Sequence, residues 1–425
     1  MTRRLLRRRG GDAEGEVMAG TGRGDDKAGV LGPLFAQVYL PFLVLATGQG
    51  AIIPILAIAA KQDGAHASVA GVIVGLNAFG TMLFDLPSGW VVARLGESRS
   101  TWVAAVFLLV GVSSVLATHS VLMLGVGVFI ASCGWAVWSL VRLTHLSRVA
   151  PLAMRGRALG TLGGVSRAGQ VLGPFVVLAI FGAKPVRGSF LTFLVAIILG
   201  FAALVWRRDS KDPGAYERVG GRVQPLRIVA DNRHEFATAG VGTFGISLLR
   251  GSRQAIIPLW GSHVGLSASQ IDLIFGLSSL MDLSLFYPAG MISDRFGRRV
   301  VAVPCLVLLS IGHMVMPLTH VFSTVFLAAL LVSFGNGLGS GIIMTMGADR
   351  APAVGRAAFL SVWRFVSDAG TAGGPLLDAG LIATSSLSFA CPVVGVLGFA
   401  TAVVVGGWLQ EPGDLTAALP IADSS

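Results

Sequence analysis

Pro288-Ala289-Gly290-Met291-Ile292-Ser293-Asp294-Arg295-Phe296-Gly297-Arg298-Arg299 ends a long apolar run in a cluster of arginines. A looser copy, Pro87-Ser88-Gly89-Trp90-Val91-Val92-Ala93-Arg94-Leu95-Gly96, stands 201 residues earlier, 87 against 288. A chain that repeats itself at half its length reads as two similar bundles in one polypeptide. Both copies sit where apolar sequence meets positive charge, which places them at a membrane surface.

The composition around them agrees. The 425 residues are 53% hydrophobic and 13% charged, against roughly 25% charged in an ordinary soluble domain. Twelve apolar stretches, at 34–60, 69–92, 101–118, 121–141, 158–182, 188–206, 236–261, 268–292, 300–318, 321–346, 358–383 and 387–408, are each about long enough to cross a ~30 Å hydrocarbon core as a helix. Outer-membrane strands would alternate over segments of about ten residues. The sequence has no such alternation.

The net charge of +10 follows topology rather than nucleic-acid binding. With the N-terminus in the cytosol, 25 of the 32 lysines and arginines fall on inside segments, against Lys61, Lys184 and Arg187 outside. This bias fits the positive-inside rule with both termini cytosolic. Residues 1–33 are basic with no apolar core, so they read as a disordered cytosolic tail rather than a cleavable leader. Residues 207–235 read as a cytosolic linker between bundles at 34–206 and 236–408, and 409–425 as a second tail. Cys133, Cys305 and Cys391 lie singly in apolar runs, which fits packing rather than a metal site.

Three further echoes support the duplication: Ala51-Ile52-Ile53-Pro54 with Ala255-Ile256-Ile257-Pro258, Gly169, Gly173 and Pro174 with Gly370, Gly374 and Pro375, and Gly156-Arg157-Ala158 with Gly355-Arg356-Ala357. Alongside these echoes, Gly290, Asp294, Arg295, Gly297, Arg298 and Arg299 resemble the loop motif between helices 2 and 3, and 8 and 9, of the major facilitator superfamily. Gly89, Arg94 and Gly96 repeat part of it, with Ala93 in place of the aspartate and Glu97 in place of an arginine. The resemblance implies an all-α membrane protein with twelve helices in two pseudo-symmetric six-helix bundles around an alternately opening cavity. It implies that the motif latches the cytosolic side, with Glu97 or Asp85 serving in the first half. Anchoring of the arginines to lipid headgroups is the simpler alternative.

Gly160, Gly169, Gly173 and Pro174 in span 5 resemble the helix-5 signature of the drug:proton antiporters in that superfamily, with Val177 and Leu178 replacing its last glycines. Gly48 and Pro54 resemble the first-helix motif of the twelve-span members. Small residues four apart also serve plain helix packing.

Ionisable residues within spans cost about 2.5–3.5 kcal/mol each at a helix centre, so each needs a partner or a wet cavity. Counting 1.5 Å per residue puts Arg167 about 13 Å and Asp282 about 15 Å from the cytosolic ends of spans 5 and 8, and Arg364 and Asp85 about 9 and 10 Å deep in spans 11 and 2. Helices 5 and 8, and 2 and 11, pack together in the superfamily fold and by its pseudo-symmetry, so the expected interbundle pairs are Arg167 with Asp282 and Arg364 with Asp85. Asp368, one turn past Arg364, is the leading proton-coupling candidate, beside Asp85 and Asp282. Gln49, Asn77, Trp135, Trp138, Arg250, Gln254, Asn336 and Trp363 are the candidate cavity lining, since aromatics with a few polar groups suit amphipathic ligands. For the tryptophans helix packing is the simpler alternative.

The leading expectation is a monomeric inner-membrane secondary transporter, coupling protons to the export of amphipathic small molecules. A uniporter or symporter for a specific metabolite, lipid or sugar is the alternative. No glycine-rich phosphate loop, metal-ligand set or nucleophile motif is present, so neither an enzyme nor a cofactor is expected.

Overall fold

The computed structural model describes residues 38–149, 155–182, 184–206, 225–352 and 355–409. The basic tail, the linker up to residue 224 and residues 410–425 lie outside them. Among the described residues there is no β-strand, as expected where lipid offers the backbone no hydrogen bonds and each helix must satisfy its own.

A helix stands at every predicted span. We number them α1 (Leu40–Gln62), α2 (67–95), α3 (97–117), α4 (Val121–Val149), α5 (Arg155–Phe181), α6 (Pro185–Trp206), α7 (Val241–His263), α8 (Ala268–Phe296), α9 (Arg299–Leu318), α10 (Phe322–Arg350), α11 (Arg356–Thr384) and α12 (Leu387–Trp408). Helices α2 and α3 follow each other through Gly96, at φ 74° and ψ 173°. A straight helix over Ala67–Ala117, 51 residues, would be about 77 Å long, more than twice a membrane core. Gly96 makes the corner because its missing Cβ admits a positive φ. Gly297 repeats it between α8 and α9 at φ 97°.

Among the described residues nine helical segments are long and apolar enough to cross a membrane, the α2–α3 pair counting as one. The two absent from that set, α7 and α11, carry Arg250, Arg253, Arg364, Asp368 and Asp378. Their lower hydropathy is the cost of the charges the protein places at its centre. Near the end of the linker, Pro225–Asp231 forms a short helix.

Glycines set the spacing inside each bundle, and they do so twice. Gly169 and Gly173 of α5 press on Ala46, Thr47, Gly50 and Ala51 of α1, and Gly370 and Gly374 of α11 press on Phe244, Ser247, Leu248 and Gly251 of α7. A Cβ on Gly50 would lie 2.5 Å from the Gln170 backbone, so only glycine permits this approach. Gly251 meets Thr371 in the same way, 201 residues on at both positions. The Ala-Ile-Ile-Pro echo between spans 1 and 7, offset by 204, is therefore not a structural equivalence. Pro54 lies in a 3-10 turn, Ile53–Ile55, whereas Pro258 lies inside α7.

The bundles meet along two antiparallel seams, α2 with α11 and α5 with α8. At the end away from the loop motifs the seams are closed: Gly71 and Gly75 pack on Ala379 and Leu376, and Gly276 packs on Pro174 and Phe175. One buried apolar cluster joins the first bundle to Ile256, Trp260, Ile271 and Ile274 of the second at this end. Toward the loop motifs these close glycine contacts between the bundles stop. A Cβ on Gly89, Gly160 or Gly290 would meet nothing within 4 Å. The result is a cleft between the bundles, shut at one end and open at the other.

Candidate functional site

The apex of the cleft is where the seams change from apolar contact to charge. On the α5–α8 seam, Arg167 Nη1 lies 3.2 Å from Asp282 Oδ1 and donates to Ser340 Oγ at 2.7 Å. Asp282 also accepts from Asn336 Nδ2 at 2.5 Å and Ser340 Oγ at 3.2 Å, and faces Arg253 Nη1 at 3.8 Å. The glycine break that ends the first part of α10 at Leu338 turns Ser340 into this group. Arg167 lies over the Phe286 ring at 5.0 Å, which shields one face of the cation.

On the α2–α11 seam, Arg364 Nη2 lies 3.2 Å from Asp85 Oδ1 across the bundles and Nε 3.4 Å from Asp368 Oδ2 on its own helix. Both cross-bundle pairs join residues that depth along the helices sets level, on helices that the superfamily resemblance sets side by side. The charge balance of the two seams differs in sign. Arg364 faces two carboxylates, so a proton is needed to make that trio neutral. Arg167 and Arg253 share one carboxylate, leaving an excess cation.

Two of the expected cavity residues lie elsewhere. Trp138 is 0% exposed, packed on Phe201 at 5.0 Å with Arg142 over its ring at 4.6 Å. Trp363 is buried against Phe236 and Phe359 and donates to the Ile343 carbonyl. Both tryptophans thus pack inside their own bundles, in place of the expected cavity lining. Arg250 donates to the Asn336 carbonyl at 3.1 Å inside the second bundle. Asn77 accepts from Ser132 at 2.9 Å. Gln49 and Asn336 are buried, while Trp135 and Gln254 are half-buried, Trp135 lying 6.0 Å from Phe42.

At the open end each loop motif binds its own bundle. Arg298 contacts Asp294 at 2.6 Å and Asp349 of α10 at 2.9 Å. Burial works against its charge, but these two carboxylates outweigh it and raise its pKa. Arg299 donates to the Leu409 carbonyl, while Arg295 lies over the Phe296 ring at 5.2 Å and Arg94 over Trp90 at 4.5 Å. In the first half Glu97 meets His145 at 2.8 Å and Arg148 at 2.7 Å. Burial opposes its ionisation, yet His145, Arg148 and Arg142 together hold its pKa below the usual carboxylate range. Glu97 lies outside the spans at the α2–α3 corner.

Sequence reading missed three things here. The partnership of Arg298 with Asp349 was legible in the offset of 201 that also relates Glu97 to Arg148. Ser340 gave no signal. Asp272, the fifth residue of α8, reads as an interface residue because it is so near the start of its span.

The Major Facilitator Superfamily family model matches residues 38–247 and again 239–420. The chain belongs to the Major Facilitator Superfamily. Each match takes in six of the twelve helices, and the two overlap at the start of α7. Among curated relatives, the Major Facilitator chain is 23% identical over 395 residues to the multidrug resistance protein MdtH of Enterobacter sp. (strain 638), covering 89% of this chain and 94% of that one. Among solved structures it is similar to a POT family transporter in complex with a thioalcohol-conjugated peptide, with TM-score 0.71, 12% identity and coverage of 88% and 95%. It is also similar to the inward-open xylose transporter XylE from E. coli, with TM-score 0.68, 16% identity and coverage of 91% and 99%. These likenesses fix the fold. As a member of the superfamily the protein is a multi-pass membrane transporter and not an enzyme.

Proposed function

We propose that the protein is a secondary transporter of the inner membrane that exports amphipathic small molecules in exchange for protons. The observation that carries this reading is the Arg364 trio: one guanidinium between Asp85 across the cleft and Asp368 on its own helix. A proton on Asp368 frees Arg364 to pair with Asp85 alone, which strengthens the contact between bundles. Loss of that proton divides the arginine between two carboxylates and weakens it. Proton binding is thereby converted into a bias on the bundle equilibrium, which is what coupling requires. The excess of lysine and arginine on alternate loops supports a cytosolic position for the loop motifs. The cleft then opens to the cytosol. The likeness to the multidrug resistance protein MdtH supports amphipathic cargo and export.

The test is flux in proteoliposomes under an imposed pH gradient, with a panel of cationic, neutral and anionic amphiphiles. Gradient-driven export of several compounds is expected. Flux indifferent to the gradient favours a uniporter, and flux confined to one polar metabolite running with the protons favours a symporter.

A further inference from the structure

Asp272 lies at the closed end of the cleft, and nothing in the coupling scheme above uses it. Its relative exposure is 0%, and neither carboxylate oxygen has a hydrogen-bond partner among the described residues. Its neighbours on α8 place it on the seam. Three residues before it, Ser269 donates to the Gly182 carbonyl at the end of α5 at 2.7 Å. Four residues after it, Gly276 packs on Pro174 and Phe175 of α5. Positions 269, 272 and 276 share one helix face.

The equivalent position on the other seam, 71 against 272, is Gly71, packed on Ala379. One seam therefore closes glycine on alanine, and the other closes a carboxyl group on apolar sequence. The charged groups on the surrounding helices are engaged elsewhere or exposed. Arg167 and Arg253 face Asp282, Arg250 bonds Asn336, and Lys61 of α1 donates to Ser262 at 2.8 Å. His263 at the end of α7 packs on Trp260, His313 of α9 bonds the Leu309 carbonyl at 2.7 Å, Asp378 of α11 accepts from Ser252 at 3.1 Å and Asp63 at the end of α1 faces His119 at 3.5 Å, while Lys184 and, in the first turn of α6, Arg187 are exposed. None of them lies within 4.0 Å of Asp272 among the described ion pairs.

An ionised carboxylate cut off from water, with no donor and no cation, is a costly state, whereas the acid is tolerated. Parting of the seam gives the same group to the outer solution. We infer that Asp272 is a proton-binding site of the outer seam: its carboxyl carries a proton while this end is closed and releases it to the outer solution when the end opens. Each closure then takes one proton from the outside, and a high external pH holds the end open. The inference rests on the alternating-access part of the proposed function, and not on export or on Asp368.

Spin labels on Arg187→Cys and His263→Cys, both exposed at this end and on different bundles, report its opening by pulsed electron resonance in lipid nanodiscs. The native Cys133, Cys305 and Cys391 are buried, so labelling is confined to the new sites. From about pH 5 to about pH 9 the unsubstituted chain should gain a longer distance as pH rises, also with Asp368→Asn present. Asp272→Asn should hold the short distance throughout, and Asp272→Glu should restore the response. An Asp272→Asn chain that opens with pH as before, or stays open at every pH, overturns the inference while leaving alternating access standing. A single distance at all pH values in the unsubstituted chain overturns both.

Discussion

Glu97 and Arg148 stand 2.7 Å apart where the α2–α3 corner meets the end of α4, and Arg298 and Asp349, each 201 residues further on, stand 2.9 Å apart with the signs exchanged. The glutamate that breaks the loop motif in the first half is thus matched by an arginine where the second half has an aspartate. The bridge is kept and its polarity reversed. Each copy ties a loop motif to its own bundle, so each bundle can rock as a unit.

Exchanging the first bridge, Glu97→Arg with Arg148→Asp, should recover much of the thermal stability lost in Glu97→Arg alone. The pair is half-exposed on the arginine side, so the loss for Glu97→Gln is on the order of 1 kcal/mol. Recovery will be incomplete because His145 then faces a cation. Melting temperatures of the four proteins in detergent measure it. No recovery would show that His145, rather than Arg148, is the partner that counts.

The same bridge predicts a pH dependence. Glu97 is held below its ordinary pKa by His145, Arg148 and Arg142 against the effect of burial. Its contribution to stability is therefore present above the ordinary carboxylate range, about 4.3, and is lost as pH falls through the depressed value. The stability difference between the unsubstituted chain and Glu97→Gln should shrink as pH falls below the carboxylate range and vanish in acid. A difference that persists in strong acid would exclude the carboxylate as its source.

Charge exchange across the cleft tests both pairs. Arg364→Asp with Asp85→Arg keeps a cross-bundle pair but sets the new aspartate beside Asp368, now 3.4 Å from Arg364. Arg167→Asp with Asp282→Arg likewise keeps a pair but sets the new arginine beside Arg253, now 3.8 Å from Asp282. Each exchange should therefore regain part of the transport lost in its single variants, and regain more when Asp368→Asn or Arg253→Gln removes the like charge. No gain in either double variant would remove the cross-bundle pairing from the transport cycle.

Asp368→Asn should abolish proton-driven flux while substrate still binds, because the Arg364 trio is then neutral without a proton. Proton-driven flux in proteoliposomes and substrate affinity measure the two halves of this statement. Unchanged flux removes Asp368 from the coupling role.

Gly173→Leu should fail to fold, since even a Cβ there overlaps the Gly50–Ala51 backbone. Gly160→Leu should fold normally, because nothing lies within 4 Å of that site, yet it should block transport if Gly160 and Gly290 approach when the cleft shuts. Expression and thermal stability read the first effect and proteoliposome flux the second. Full transport by Gly160→Leu would mean the cytosolic end never closes at that level.

What could be read in advance was whatever depends on position along a helix. Arg167, Asp282, Arg364 and Asp85 could be set level by counting 1.5 Å per residue, because a membrane fixes the axis and the starting plane of every span. The loop corners at Gly96 and Gly297 were legible because a motif repeated and glycine alone suits their backbone.

What could not be read was which way a side chain faces around its helix. A span that is apolar all round offers no polar stripe to orient it, so Trp138 and Trp363 could be named as cavity residues although both pack inward. The sequence by itself determined the twelve helices, their duplication and the depth of each charge, since hydropathy and backbone satisfaction in lipid leave little choice. The tertiary structure alone decided that Arg364 divides itself between two carboxylates, that Asp282 serves two arginines, and that Asp272 is sealed without a partner among the described residues. Those depend on helix rotation and on which end of the cleft is shut, and both are set by glycine contacts between segments far apart in the chain.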